Sequence, residues 1–130
     1  KVYIRDSGIL HGLLGLETPA DVQSHPKLGT SWEGFVIEQI VRLLNTRDAY
    51  FWATHAGAEL DLLVRMRGKA YGFEATYADT PGRSMQIALH DLGLEHLWIV
   101  YPGRQEYSLA ERITVVPAEA LPRLAAALAP

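Results

Sequence analysis

The chain has 130 residues, a mass of 14.4 kDa, 48% hydrophobic residues, and a formal charge of −3 with a pI near 5.9. That is one domain, long enough to bury a real core and too apolar to be disordered. The absence of cysteine excludes disulfides, zinc–thiolate sites and cysteine nucleophiles. Its apolar runs fall short of the roughly 18–20 residues of a membrane span. The acidic charge also weighs against strong autonomous DNA binding, which needs a basic face.

A cysteine-free chain fits a reducing interior, so a cytoplasmic location is the expectation. No charged-then-apolar leader opens the sequence at Lys1. The expectation is a single domain over residues 1–130, the C-terminal fragment of a longer protein.

Val2-Tyr3-Ile4 reads as a short β-like run, followed by Asp6 or Ser7 as the cap of an apolar helix from Ile9 to Leu14. Gly15 ends that helix. Residues Glu17 to Thr30 hold Pro19, Pro26 and Gly29 and read as a loop. Ser31 then caps a helix from Trp32 to Leu44. At about 100° per residue, Val36, Ile37, Ile40 and Leu44 form one face, and Glu33 projects into its middle. A carboxylate there is costly unless paired, protonated or metal-bound. Alternatively, in the first turn, it reaches solvent and favours the helix dipole. Glu38 falls on the polar side as a solvated partner of Arg42.

Three strands follow: Tyr50–Thr54, Glu59–Met66 and Ala70–Tyr77, with tight turns between them. In the second, alternation puts Leu60, Leu62 and Val64 on one face and Glu59, Asp61, Leu63 and Arg65 on the other. In the third, Gly72, Glu74 and Thr76 share a face. Thr80 and Pro81 start a helix that Gly93 ends. Leu97–Tyr101 is a continuous apolar strand, the kind buried on both faces. Ser108 to Glu111 leads into a strand at Ile113–Val116, and Pro117 to Leu128 is a small amphipathic helix. This order gives an α/β layer structure with a mixed sheet.

The chemistry-bearing feature is the hairpin Ala58–Tyr77. Asp61 and Glu74 on paired strands are what a divalent-metal site needs, because Mg²⁺ and Mn²⁺ take oxygen ligands. Without further context such a pair is also an ordinary solvated strand face. Other candidates have plainer readings. The histidines at 11, 25, 55, 90 and 96 show no metal-ligand spacing. Ser7, Ser31 and Ser84 read as caps, and Gly12, Gly15 and Gly29 form no phosphate loop. Arg65, Arg67 and Lys69 read as a solvated turn, and Tyr50, Phe51 and Trp52 as core and sheet residues rather than a base-stacking platform.

Glu33 on a helix, Asp61 on a strand and Glu74-Ala75-Thr76 on the next resemble the layout of the PD-(D/E)XK, restriction-endonuclease-like fold. A closer resemblance covers nearly the whole chain. V-Y-I-R-D-S-G-I-L (2–10), L-G-T-S-W-E-G-F-V-I-E (28–38), Y-F-W-A-T-H-A-G-A-E-L-D-L-L-V (50–64) and G-F-E-A-T-Y (72–77) are similar to a C-terminal domain of unknown function on bacterial and archaeal P-loop (AAA-type) ATPases. The resemblance implies a mixed central sheet flanked by helices and an N-terminal ATPase module as the domain's own partner. It also implies Mg²⁺ or Mn²⁺ on Asp61, Glu74 and Glu33.

The third-strand pattern of that family resembles E-V-K, whereas Thr76 stands here in the lysine's place and cannot carry its charge. Lys69 lies at the far end of the strand, and Arg83 and Gln86 on the following helix are better situated. Three readings follow. One is a degenerate nuclease-like domain that binds DNA or protein without cutting. A second is an active Mg²⁺-dependent DNA endonuclease with the lysine replaced. The last is a purely structural domain with vestigial carboxylates.

Overall fold

A computed structural model describes residues 3–77 and 82–129. Its centre is a six-stranded mixed sheet in the order β1-β2-β3-β4-β6-β5. The strands are β1 (Ala49–Ala53), β2 (Glu59–Met66), β3 (Lys69–Ala75), β4 (His96–Tyr101), β5 (Tyr107–Ala110) and β6 (Ile113–Pro117). β1, β2 and β3 form an antiparallel meander; β3, β4 and β6 run parallel; β5 closes the other edge antiparallel. The helices are α1 (Ser7–Leu13), α2 (Pro19–Ser24), α3 (Leu28–Leu44), α4 (Arg83–Asp91) and α5 (Leu121–Leu128). The fold is therefore α/β with a mixed sheet, as the element order implies.

Two cores sit on the two faces of the sheet. α3 and α5 cover one, with Val36 and Ile40 against Leu62, Val64, Phe73, Trp98 and Val100. α4 covers the other, with Met85, Ala88 and Leu89 against Leu60, Leu63, Leu97 and Ile99. β4 divides its side chains between the two, so its unbroken apolar run is the signature of a strand covered twice. Gly72 of β3 is required by this packing. A Cβ there would stand 2.8 Å from Leu94 Cδ1 and 3.3 Å from Leu60 Cδ2.

Several sequence expectations are corrected. Tyr3 and Ile4 lie outside any strand, and Val2 lies outside the described residues. The stretch 17–30 is no loop: Thr18 Oγ1 accepts from the Asp21 amide while Asp21 Oδ2 accepts from the Thr18 amide, a capping box that starts α2 at Pro19. α3 begins a turn early, at Leu28, so Ser31 is a buried helical residue bonded to His11 rather than a cap. Thr80 and Pro81 lie outside the described residues, and α4 runs from Arg83 behind Gly82. The lead-in at 108–111 belongs to an edge strand, and Pro117 ends β6, with a 3-10 turn at Ala118–Ala120 preceding α5. On β1, Trp52 packs against the α4-side core, but Tyr50 and Phe51 are exposed.

The two-residue turn between Met66 and Lys69 holds Arg67 at φ 53° and Gly68 at φ 75°. Both positive values are those of a type I′ hairpin turn, whose first position favours Asn. Arg67→Asn should therefore stabilise the domain by about 0.5–1 kcal/mol, read as a rise in the urea midpoint at constant slope.

His96 Nε2 lies 2.8 Å from Thr114 Oγ1, with its ring 4.5 Å from that of Trp98. Burial, aided by the Arg112 charge, holds its pKa below the ordinary 6.5. The unfolded chain then takes up the proton first, so stability is complete above pH 6.5 and declines as pH falls through the folded value. His96→Gln should flatten that decline just below pH 6.5 in a series of thermal melts.

Candidate functional site

The site begins with a flaw in the ladder. β1 pairs Tyr50 with Leu63 but Trp52 with Leu60, so Phe51 stands against two β2 residues, Asp61 and Leu62. This β-bulge breaks strict alternation. Leu62 and Val64 enter the α3-side core, while Leu60 and Leu63 enter the α4-side core. The expectation that Leu60 shares a face with Leu62 and Val64 is thereby corrected. The same bulge brings Asp61 and Leu62 together onto the cleft beside α3.

Asp61 is 7% exposed. The recorded pairing of β2 with β3 reaches Leu62 opposite Phe73, which leaves Asp61 and Glu74 at the next rung. There the side chains take over from the backbone. Asp61 Oδ2 accepts from the Ala75 amide at 2.9 Å, and Glu74 Oε2 accepts from the Asp61 amide at 3.3 Å. Each motif carboxylate thus holds the other's strand. Charge-assisted bonds of this kind are about twice as strong as neutral ones.

Thr76 follows immediately, and its amide donates to the Val100 carbonyl at 3.0 Å. The same carbonyl receives the Trp32 indole N–H at 3.4 Å, which fixes the front of α3 to the end of β4. Trp32 also meets Tyr77 edge-on at 5.8 Å. Glu33, the neighbour of Trp32, is half-buried and accepts a hydrogen bond from the Tyr3 hydroxyl. Asp61 lines the α3-side cleft and Glu33 lies on α3, while Glu74 alternates with Phe73 and Ala75 of the α3-side core and shares the strand face of Gly72, which packs toward Leu94 and Leu60.

A carboxylate that the helical pattern misplaced is Glu38. It is buried, not solvated. Arg5 grips it through two bonds, Nε to Oε2 at 2.9 Å and Nη2 to Oε1 at 3.1 Å, and Arg42 Nε reaches Oε1 at 2.6 Å. The expected Arg42 partnership is present, but the segment carrying Tyr3 and Arg5 joins it. The helical wheel could not show this, because it describes one helix without its neighbours. Glu38 and Asp61 line an open cleft of about 930 Å³, with Arg5, Arg42 and Arg47 among its other walls.

The Arg5 hydrogen bond, ahead of Arg42, holds the Glu38 carboxyl below its ordinary 4.5 despite opposing desolvation. Its contribution is present above pH 4.5 and lost as pH falls through the lower folded value. Glu38→Gln should therefore lower the thermal midpoint at neutral pH and make it less sensitive to acid below pH 4.5, so that the gap to the native chain narrows as pH falls.

The remaining candidates lie elsewhere. Arg83 and Gln86 are exposed on α4, across the sheet from α3, and do not line the cleft. Lys69 sits at the far end of β3, paired with Glu95 at 3.1 Å. Arg65 and Arg67 are exposed beside that turn. His25 accepts from the Lys27 amide, His90 pairs with Asp91, and His55 is exposed in its turn. Among the described residues, no group of three or more His, Cys, Asp and Glu side chains is arranged to hold a metal ion. Asp61 and Glu74 are brought together through each other's backbone amides, and Glu33 is bonded to Tyr3. No helix among the described residues is long and apolar enough to cross a membrane.

These features define an α/β domain with a reciprocal carboxylate pair at one end of a mixed sheet. The chain belongs to the family described as a domain of unknown function, DUF4143, whose model matches residues 28–121. It is 49% identical over 121 residues to uncharacterised proteins of Mycobacterium tuberculosis and Mycobacterium bovis. The match covers 92% of this chain but only 27% of each relative, so the chain spans about a quarter of their length. No solved structure matches significantly.

Proposed function

We propose that this domain is a non-cleaving relative of the PD-(D/E)XK nucleases that serves a P-loop ATPase as a DNA- or protein-interaction module. The observation that carries this reading is the reciprocal bonding of Asp61 and Glu74 to each other's strands. Both carboxylates hold the strand end together, and the neighbouring position offers Thr76 in place of a lysine. A threonine can donate a hydrogen bond but cannot offset phosphate charge. The ATPase partner comes from the motif resemblance and fits relatives far longer than the match.

One observation favours the alternative, an active Mg²⁺-dependent endonuclease: buried Asp61 faces an open cleft with arginines on its walls. Incubation with supercoiled, linear and branched DNA in Mg²⁺ or Mn²⁺ separates the two. The proposal expects intact DNA from the native chain. Cutting that disappears in Asp61→Asn would establish the alternative. Thr76→Lys tests whether the lysine alone is missing; a variant that cuts would show that the remaining groups are competent.

A further inference from the structure

A nucleophile and a base meet away from the carboxylate end, where α1 packs on the first turns of α3. Ser31 of α3 is 7% exposed, and its Oγ lies 2.6 Å from Nε2 of His11 in α1. A serine hydroxyl is a weak nucleophile until a neighbour takes its proton, and that spacing is what the transfer needs. The two residues stand 20 positions apart, so the packing of two helices makes the pair, not local sequence.

A hydrogen bond alone would be explained by the need to satisfy a buried hydroxyl. Two further features go beyond that need. Ser31 lines a groove of about 250 Å³ whose apolar walls are Ile4, Leu10, Leu14 and Phe35. It is also the fourth residue of α3, a helix that starts at Leu28 without a side-chain cap. Helical side chains lean toward the N-terminus, so Ser31 Oγ leans toward the first-turn amides. Among the described residues, no protein group accepts from the amides of Gly29 and Thr30. Those donors and the positive end of the helix dipole favour negative charge developing beside Oγ.

We propose that Ser31 is a nucleophile, with His11 as its base, for acyl transfer from carboxylic esters whose small apolar acyl group occupies the groove. Oγ attacks the ester carbonyl carbon and its proton passes to His11 Nε2. The bond from that carbon to the alcohol oxygen then breaks, and the leaving alcohol takes the proton from Nε2. Water attacks the Ser31 acyl ester in the second half, giving a proton to Nε2, which returns it to Oγ as the carboxylic acid departs. The sum is ester plus water to acid plus alcohol. Among the described residues no side chain is bonded to His11 Nδ1, the position of the orienting carboxylate in a full triad. Turnover is therefore slow, and a trapped adduct is the sharper readout. Asp61 and Glu74 take no part, so this site goes beyond the nuclease-like reading and stands or falls separately.

The test is incubation of the 130-residue chain with an alkyl fluorophosphonate, followed by intact mass and peptide mapping. The native chain should gain one phosphonyl group, located on Ser31. Ser31→Ala should gain none, and His11→Ala should label at least roughly a hundredfold more slowly. Thermal melts of both variants show whether each is folded when it is assayed. p-Nitrophenyl butyrate should release a burst of up to one nitrophenolate per native chain and none above background from Ser31→Ala. A native chain that stays unlabelled would overturn the proposal, whatever the variants do. An adduct mapped to another residue would overturn it too. Equal labelling rates in the native chain and a folded His11→Ala would show that the contact only ties α1 to α3, and would likewise overturn it.

Discussion

Asp61→Ala is expected to lower stability in metal-free buffer by about 1–3 kcal/mol. The carboxylate is buried and accepts from the Ala75 amide at 2.9 Å where β2–β3 backbone pairing stops. Alanine removes that acceptor from the end of the ladder and opens space at the bulge. For a chain of this size the thermal midpoint should fall by several degrees, roughly 3–5 °C per kcal/mol. Asp61→Asn separates a structural role from a catalytic one. The amide oxygen can still accept from Ala75, so Asn should recover most of the lost stability. A carboxylate acting chiefly as a metal ligand would give the opposite pattern: little loss without metal for either variant.

Trp98→Ala is expected to have the largest effect, about 3–5 kcal/mol. Trp98 stacks on Phe73 at 5.2 Å and on Tyr71 at 5.9 Å, and it lies in the core beneath α3 and α5. Removing the indole leaves a cavity between two strands and two helices whose backbone is fixed by parallel pairing on both sides of β4. That loss approaches the whole stability of an ordinary domain, so the variant should melt far below the native chain or fail to fold cooperatively. A midpoint within a few degrees of native would mean that the α3-side core is not the main source of stability.

Much of the fold was legible because its signals are local. The residues of β2 were bounded correctly by its apolar run and flanking turns, and the doubly covered β4 was marked by five successive apolar residues, one short of its start at His96. The T-P-A-D capping signature of α2 was also present in the sequence, but proline and polar residues around it suggested a loop. Other features needed tertiary context. The bulge at Asp61–Leu62 exists only through the register of β1 on β2, so alternation alone put Leu60 on the wrong face. Glu38 appeared solvated because nothing in the helical period shows that Arg5, thirty-three residues earlier, lies across it. Asp61 and Glu74 were visible as a pair, but their bonding to each other's backbone was not.

The most direct test of the central claim is a thermal-shift titration with Mg²⁺ and Mn²⁺, comparing the native chain with Asp61→Asn. A ligand at about 100 times its dissociation constant would stabilise the native state by roughly 2.7 kcal/mol, a shift of many degrees here. If Asp61 and Glu74 serve to hold the strand end, neither protein should shift at millimolar metal. A metal-dependent rise in the native chain that Asp61→Asn abolishes would contradict the account and identify a working carboxylate metal site.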